Sequence, residues 1–208
     1  MLDKEFDRQV ENLLQKGYPD LAGAEAVELV QSLEPLKGQA LALDLPKAGI
    51  DESYIPFVIV VKRDLLPVDR LMPLVTLRGK SGFSVMDAQE IERFKPVANV
   101  ALPEGVAYLL VDIDTGKETL NVTPNDALKI LEEQGRSPLT IEEGVALVTH
   151  FPESLKKNNC FSLLASRCGD KRVTALWISE GRPKLGWCWA GNPHTWLGSA
   201  SCGARIGA

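Results

Sequence analysis

Two strand-like runs near the C-terminal end place the strongest constraint on how this chain folds. Val173–Ser179 and Lys184–Ala190 are rich in β-branched and aromatic residues, and Glu180-Gly181-Arg182-Pro183 separates them. Runs of this kind on either side of a short, glycine-containing turn predict an antiparallel β-hairpin. The hairpin, at about residues 172–190, therefore favours a fold that contains an antiparallel sheet.

The register of the hairpin decides which side chains face one another. A four-residue turn pairs Ser179 with Lys184, and in that register Trp177 lies opposite Gly186. Because side chains alternate along a strand, large and small residues of the second strand separate onto opposite faces. The large residues are Leu185, Trp187 and Trp189, and the small ones are Gly186, Cys188 and Ala190. The small face leaves room for Trp177 to pack closely.

Two amphipathic helices are predicted before residue 36. Apolar residues at helical spacing mark the buried face of each. The first helix ends at Gly17, and the second runs from Gly23 to Pro35. The apolar positions are Phe6, Val10, Leu13 and Leu14 in the first helix, and Ala26, Val27, Val30 and Leu33 in the second.

Further strands are predicted in the middle of the chain. Phe57–Val61 is a continuous apolar run, which is typical of a strand buried on both faces. Tyr108–Asp112 is a second strand, and the turn after it leads into a third predicted strand, Glu118–Val122. No regular alternation of single strands with single helices follows from these positions.

Two further helices carry clear capping signals. Thr123 followed by Pro124 marks the start of one helix, since proline is favoured at the first helical position. Thr140 with Glu143 three residues later forms a capping box at the start of the other. The predicted helices extend over about residues 123–135 and 140–150. Irregularly mixed helices and hairpin strands favour the α+β class with a mostly antiparallel sheet.

Charge and chemistry are distributed unevenly along the 208 residues. Residues 1–149 contain 15 basic and 25 acidic residues, a net charge of −10, whereas residues 150–208 contain 8 basic and 3 acidic residues, a net charge of +5. All four Cys, all four Trp and both His lie in the second part. We expect one domain over 1–208, with a helical segment (1–45), an α+β core (55–150) and a basic, Cys- and Trp-rich segment (151–208).

Composition also restricts the compartment and the partners. No run approaches the roughly 20 apolar residues that span a bilayer, and the charged start Met1–Asp7 is unlike a signal peptide. We therefore expect a cytoplasmic protein without a membrane partner. A net charge of −5 and the lack of long basic runs argue against a nucleic-acid partner. Composition leaves the oligomeric state open.

Several segments together carry a family resemblance. Asn159–Asp170 and the stretch from Ala175 to Gly198 are the most distinctive, and Asp112–Gly116, Thr119–Val122 and Ser137–Thr140 also fit. They resemble domain-of-unknown-function family 5701, an uncharacterised bacterial family of actinobacterial type. The resemblance covers most of the chain and implies a bacterial cytosolic protein. It implies no reaction, cofactor or catalytic residue.

Thiols and one imidazole follow one another at wide spacing in the C-terminal segment. Structural zinc sites take four nitrogen or sulfur ligands and usually draw two of them from a short Cys-x2–4-Cys unit. No such unit occurs among Cys160, Cys168, Cys188, His194 and Cys202. The favoured interpretation is four free thiols that behave as small apolar side chains, with no cofactor. A structural zinc site remains the alternative.

A nucleophilic enzyme of unknown class, a hydrolase or a transferase, is a second functional hypothesis. Cys202 lies in a stretch of small residues that is predicted to be flexible, and a thiolate beside His194 or His150 is a competent nucleophile. Ser201 is the hydroxyl alternative, although it lies outside a Gly-x-Ser-x-Gly elbow. The catalytic candidates are therefore His194 with Cys202 or Ser201.

The favoured functional hypothesis is a binding module. The turn-like sequence from Asn192 to Trp196 is expected at the surface, where aromatic rings offer stacking area and polar groups orient a ligand. We expect a small anionic or amphipathic ligand, or a peptide. A structural or protein-interaction role for the tryptophans is the alternative. The predicted ligand-binding residues are Asn192, His194, Trp196, Arg167, Arg172, Trp187 and Trp189.

Overall fold

Two β-sheets packed against one buried helix form the framework of the protein. The computed structural model describes residues 2–44 and 54–208. Its helices are α1 (Leu2–Gln15), α2 (Tyr18–Ala22), α3 (Ala26–Leu41), α4 (Val68–Leu71), α5 (Ala88–Arg93), α6 (Pro124–Glu133) and α7 (Ile141–His150). Single 3-10 turns occur at Met72–Leu74, Lys117–Thr119 and Pro152–Ser154.

The strands are mostly short, and two of the pairings join eight-residue strands. They are β1 (Tyr54–Val61), β2 (Thr76–Leu77), β3 (Lys80–Ser81), β4 (Phe83–Ser84), β5 (Lys95–Pro96), β6 (Ala107–Asp114), β7 (Ser137–Pro138), β8 (Cys160–Leu163), β9 (Ser166–Arg167), β10 (Arg172–Ser179), β11 (Arg182–Trp189), β12 (Leu197–Ser199), β13 (Ser201–Cys202) and β14 (Ala204–Ile206).

The first sheet has the strand order β1-β6-β13-β7, and β14 also pairs with β6. The second sheet has the order β12-β8-β10-β11-β4, and two small ribbons join β2 to β3 and β5 to β9. All pairings are antiparallel except β12 with β8 and β11 with β4. The predicted α+β class with a mostly antiparallel sheet is confirmed.

Helix α7 is buried along its whole length. It packs on β1 of the first sheet and on β10 of the second. Gly144 makes this possible on the second side, because a Cβ atom there would lie 2.4 Å from the Leu163 side chain. The predicted capping box is present, with the Glu143 carboxylate accepting a hydrogen bond from the Thr140 amide at 2.8 Å. Helix α7 thus lies between the two sheets, with a capping box at its start and with Gly144 allowing close contact with the second sheet.

Glu143 also fixes the C-terminal strand. Its carboxylate, which is completely buried, accepts hydrogen bonds from the Tyr108 hydroxyl at 2.8 Å and from the Arg205 Nε and Nη2 atoms at 2.5 and 2.8 Å. Tyr108 belongs to β6 and Arg205 to β14, so one carboxylate joins α7 to the first sheet at two strands. One shared core runs from Phe6 to Cys202.

The second predicted helix is longer than expected, and Leu33 is the one predicted apolar position in it that is fully buried. α3 continues through Pro35 to Leu41, and its core contacts include Leu36 and Ala40, which are both completely buried. Val27, predicted on the buried face, is 60% exposed. Proline removes one helical hydrogen bond, but the burial of the following turn offsets that loss. The sequence of residues 37–55 predicts a connection, but residues 37–41 belong to α3, and residues 45–53 lie outside the described residues.

The predicted strand Glu118–Val122 is wrong. Gly116 adopts a left-handed conformation with φ of 80°, and the Thr119 hydroxyl donates a hydrogen bond to its carbonyl at 2.9 Å. These contacts close a 3-10 turn that packs directly on β12. A Cβ atom at Gly198 would lie 2.0 Å from the Gly116 carbonyl oxygen, so the two glycines permit backbone-to-backbone contact.

Replacing Gly198 by Ala is expected to lower the free energy of unfolding by about 3 kcal/mol, because neither backbone can retreat from the added methyl group. Gly38→Ala is the matched control. Gly38 is exposed in α3 with open space around its Cβ position, so alanine is expected to raise the free energy of unfolding by about 1 kcal/mol. Urea denaturation measures both, and similar shifts for the two variants would contradict the proposed backbone contact.

Candidate functional site

The C-terminal hairpin forms as predicted but in a different register. Ser179 pairs with Arg182, so the turn contains only Glu180 and Gly181, with φ values of 56° and 72°. Two left-handed residues make the tight turn whose twist matches that of the flanking strands. The predicted pairing of Ser179 with Lys184 is therefore wrong by two residues. An even shift keeps every side chain on its predicted face, and Trp177 now lies opposite Lys184.

The four tryptophans separate into two pairs on opposite faces of this hairpin. Trp187 and Trp189 form an edge-to-face pair at 5.0 Å on the inner face, which carries the buried Leu185. Trp177 lies on the outer face, where its ring covers Gly186, and it contacts Trp196 at 6.5 Å. The structure therefore places the predicted ligand-binding residues Trp187 and Trp189 on one face of the hairpin and Trp196 on the other.

The outer face carries four half-buried aromatic rings. We call Phe83, Trp177, Trp196 and His194 the aromatic row. The Lys184 ammonium lies 5.7 Å from the Phe83 ring centre and 5.1 Å from that of Trp177. Trp177 then contacts Trp196, and Trp196 lies 5.2 Å from His194. Sequence reasoning missed Phe83 and Trp177 as partners of His194, because only the parallel pairing of β4 with β11 brings Phe83 to this face.

The aromatic row has an excess of positive charge. The Arg182 guanidinium lies 4.7 Å from the Phe83 ring centre and donates a hydrogen bond to the Ser81 carbonyl at 2.7 Å. In the described parts of the chain, neither Arg182 nor Lys184 forms an ion pair with a carboxylate. Cations over aromatic faces without acidic partners leave this surface able to attract an anion.

Backbone contacts hold the loop at one end of the row. The Asn121 amide donates to the His194 carbonyl at 3.0 Å, and the Cys160 amide donates to the Trp196 carbonyl at 2.8 Å. The His194 and Trp196 rings are half-buried, and Asn192 is exposed. The prediction that this turn lies at the surface is confirmed, and its main chain is fixed by neighbouring segments.

The two arginines predicted to bind the ligand, Arg167 and Arg172, lie away from the Asn192–Trp196 turn. Arg172 lies on the inner face, forms ion pairs with Glu90 at 2.5 Å and Asp170 at 2.9 Å, and stacks on Trp187. Arg167 belongs to β9, opposite β5 in a separate small ribbon. Neither contacts the His194 turn in the described structure. Trp189 remains 47% exposed at the end of the inner face.

The proposed nucleophiles lie in the first sheet. Cys202 is completely buried in β13, opposite Ser137, so the prediction of a flexible segment is wrong. Burial raises the pKa of the Cys202 thiol to about 12. The Ser201 hydroxyl accepts a hydrogen bond from Arg136 Nε at 2.8 Å. No contact among the described residues joins His194 to either side chain, so the geometry does not assemble the predicted catalytic pair.

The remaining thiols do not converge on a metal site. Within residues 2–44 and 54–208, no group of three or more His, Cys, Asp or Glu side chains is arranged to hold a metal ion. Cys160 contacts the Lys156 carbonyl at 3.1 Å, and Cys188 contacts the Ser162 hydroxyl at 3.8 Å. All four cysteines are free thiols. The geometry therefore gives no support to the zinc alternative.

A comparison with known families identifies the kind of protein to which this chain is related. The profile of a family of unknown function (DUF5701) matches residues 12–208. The chain belongs to the DUF5701 family. Comparisons with curated proteins and with solved structures gave no match. The expected family resemblance is confirmed, whereas the bacterial origin and the cytoplasmic location stay predictions.

The described helices of this DUF5701 chain include none with the length and apolar character that a membrane span requires. The longest, α3, has 16 residues and contains charged positions along its exposed side.

Thiol labelling tests the placement of the cysteines in this DUF5701 chain. Burial raises the pKa of Cys160 to about 11 and that of Cys202 to about 12, whereas Cys168 is half-exposed beside Asp170. With iodoacetamide at pH 8, Cys202 is expected to react roughly 100-fold more slowly than Cys168. Little of the Cys202 thiol is ionised at this pH, and the buried sulfur is shielded from the reagent. Peptide mass spectrometry gives the rates. In urea the rates should converge, and equal rates in the native protein would contradict the buried strand.

His150 gives a pH-dependent prediction. Its ring is buried at the end of α7, Asn12 donates to its Nδ1 atom at 3.2 Å, and burial lowers its pKa from 6.5 to about 3. Between pH 6.5 and about 3 the unfolded chain binds a proton that the folded chain excludes. The free energy of unfolding therefore decreases as the pH is lowered through this range. His150 contributes up to about 1.4 kcal/mol of this decrease per pH unit.

His150→Gln removes that contribution. Urea titrations from pH 7.5 to 4.5 are expected to show a shallower decline for the variant than for the parent protein, while the two slopes agree above pH 7. Parallel curves over the whole range would show that His150 is accessible to protons in the folded state.

Proposed function

We propose that this protein is a binding module whose ligand lies on the aromatic row of the outer hairpin face. The observation that carries the proposal is the continuous arrangement of four half-buried rings with Lys184 between the first two. The predicted turn from Asn192 to Trp196 forms one end of this site. The aromatic partners of this turn are Trp177 and Phe83, and not Trp187 and Trp189 as the sequence predicts.

The chemistry of the row defines the class of ligand. Aromatic rings offer flat apolar area, and Lys184 and Arg182 supply positive charge that no acidic side chain among the described residues neutralises. The row crosses from β4 to the loop before β12, which is four strand intervals, or about 19 Å at about 4.8 Å each. An organic anion with a planar, apolar body therefore matches the site in both charge and shape.

The two tryptophans on the inner face of the same hairpin serve as a control for this proposal. Titration with 2-naphthoate is expected to shift the indole N–H signals of Trp177 and Trp196 in proton–nitrogen correlation spectra, and to leave those of Trp187 and Trp189 in place. The uncharged 2-naphthamide should bind more weakly, because it lacks the charge that Lys184 attracts.

Two matched substitutions extend this test. Trp196→Ala is expected to weaken 2-naphthoate binding roughly tenfold through lost stacking, while Trp189→Ala, at the most exposed tryptophan of the inner face, leaves the affinity unchanged. Shifts confined to Trp187 and Trp189 would contradict the proposed face. So would an absence of shifts at every indole with 10 mM ligand.

A further inference from the structure

The aromatic row is built from segments that contain no acidic residue. Residues 76–85, which include Phe83, and residues 181–202 have neither Asp nor Glu, but they contain Arg78, Lys80, Arg182 and Lys184. The whole chain, in contrast, has 28 acidic and 23 basic residues. The net charge of −5, which argues against a nucleic-acid partner for the chain as a whole, therefore does not describe this surface.

Positive charge continues along the hairpin toward its turn. Lys184 and Arg182 are two residues apart on the outer face and contact the aromatic row. Beyond them, the Lys80 ammonium donates a hydrogen bond to the Glu180 carbonyl at 3.2 Å. Gly181 leaves space for this contact, because a Cβ atom there would lie 3.2 Å from the Lys80 ammonium. Three cations thus follow one another from the rings to the end of the hairpin.

A basic cleft adjoins the same turn. It has a volume of about 600 Å³, and its wall includes Arg78, Lys156 and Lys157. Among the described residues that line it, Glu180 is the single acidic one. Arg78 also lies 3.4 Å from Glu153, but both side chains are exposed, so water weakens this ion pair. Positive charge therefore extends from the aromatic row past the turn.

The shape of the surface indicates a polymer as its ligand. Small molecules usually bind in concave sites that enclose most of their surface. The aromatic row lies instead on the face of a sheet, where Val85 beside Trp177 is 53% exposed. Such a surface gains affinity when several linked units of one chain bind together. Neighbouring rings and cations suit a single-stranded nucleic acid, because its bases stack on aromatic side chains and its phosphates attract positive charge.

The turn at one end of the row favours RNA over DNA. Asn192 and Thr195 are exposed beside the half-buried rings of His194 and Trp196. Their amide and hydroxyl groups can both donate and accept hydrogen bonds. The 2′-hydroxyl of RNA has the same capacity and is the group by which proteins distinguish RNA from DNA. The turn therefore offers partners for the ribose next to rings that can stack on the bases.

We propose that the outer hairpin face binds single-stranded RNA. The bases stack on Phe83, Trp177 and Trp196. The phosphates contact Lys184 and Arg182, and the RNA chain continues past the turn toward the basic cleft. This proposal rests on the aromatic row being a ligand site, and it names the class of that ligand. Because rings and charges provide the contacts, little preference for base sequence is expected.

Fluorescence anisotropy of a labelled oligouridylate of 12 nucleotides tests the proposal with the unmodified protein. At low salt, half-saturation is expected at roughly 50 µM protein or below. The oligodeoxyuridylate of the same length lacks only the 2′-hydroxyl groups and should bind roughly threefold more weakly or worse. Abasic DNA of this length keeps the phosphates without the bases, and should bind roughly tenfold more weakly than the oligodeoxyuridylate.

Aromatic substitutions locate the bound RNA. Trp196→Ala and Phe83→Ala are each expected to weaken oligouridylate binding roughly tenfold through lost stacking, and either one serves if the other does not fold. Trp189→Ala is the matched control on the inner face, where the ring is 47% exposed, and should leave the affinity unchanged.

The salt dependence of binding tests the role of Lys184. For single strands, the logarithm of the binding constant falls with the logarithm of the salt concentration, with a slope of about −0.7 for each contacted phosphate. Lys184→Gln should therefore make the slope shallower by about 0.7, whereas a purely structural role would leave the slope unchanged. Lys95→Gln is the matched control, because Lys95 is 62% exposed on the separate ribbon of β5 and β9.

Four results would overturn the proposal. They are no anisotropy change at roughly 50 µM protein, equal affinity for oligouridylate and oligodeoxyuridylate, abasic DNA bound as tightly as the oligodeoxyuridylate, and unchanged affinity in both Trp196→Ala and Phe83→Ala. If 2-naphthoate shifts the indole signals of Trp177 and Trp196 but oligouridylate does not bind, this proposal fails and the aromatic row remains a ligand site. If neither ligand shifts these signals, both proposals fail.

Discussion

The burial of two adjacent glutamates at the start of α7 is the constraint on which the rest of the structure depends. α7 lies between both sheets, so neither Glu142 nor Glu143 reaches bulk water. A buried carboxylate is tolerated only when cations and hydrogen-bond donors surround it. Glu143 meets this requirement through Arg205, Tyr108 and the Thr140 amide. The last strand of the first sheet is thereby fixed to the central helix.

The neighbouring glutamate meets the same requirement only in part. Glu142 accepts a hydrogen bond from Arg63 on one oxygen, and its other oxygen is buried without a partner in the described structure. Glu143 thus joins α7 to two strands of the first sheet, whereas Glu142 pairs with Arg63. The two faces of the second sheet also differ. Its inner face packs Leu176 and Leu185 into the core, whereas its outer face carries half-buried rings beside Arg182 and Lys184, which have no carboxylate partner among the described residues.

Capping residues and strand-like runs predicted most of the helices and the C-terminal hairpin. Contacts between residues far apart in the sequence could not be predicted from such local patterns. The capping box of Thr140 with Glu143 fixed the start of α7, and residue composition revealed the hairpin. Its register escaped prediction because Glu180 adopts a left-handed conformation that is uncommon for a residue other than glycine. The pairing of Arg63 with Glu142 joins residues far apart in the chain, and no local pattern marks it. Cys202 was predicted to be flexible because its neighbours are small. In the structure those small residues allow the strand that contains Cys202 to be buried.

Glu143 is expected to contribute far more to the stability of the fold than Glu142. The most direct measurement compares the free energies of unfolding of Glu143→Gln and Glu142→Gln in urea, without added ligand. Glu143→Gln should lose about 3–5 kcal/mol, because Arg205 is left as an uncompensated buried charge. Glu142→Gln should lose about 1 kcal/mol or less, since Arg63 still has the Glu92 carboxylate 3.9 Å away and the amide oxygen still accepts its hydrogen bond. Equal losses, or a larger loss for Glu142→Gln, would contradict this division between the two carboxylates.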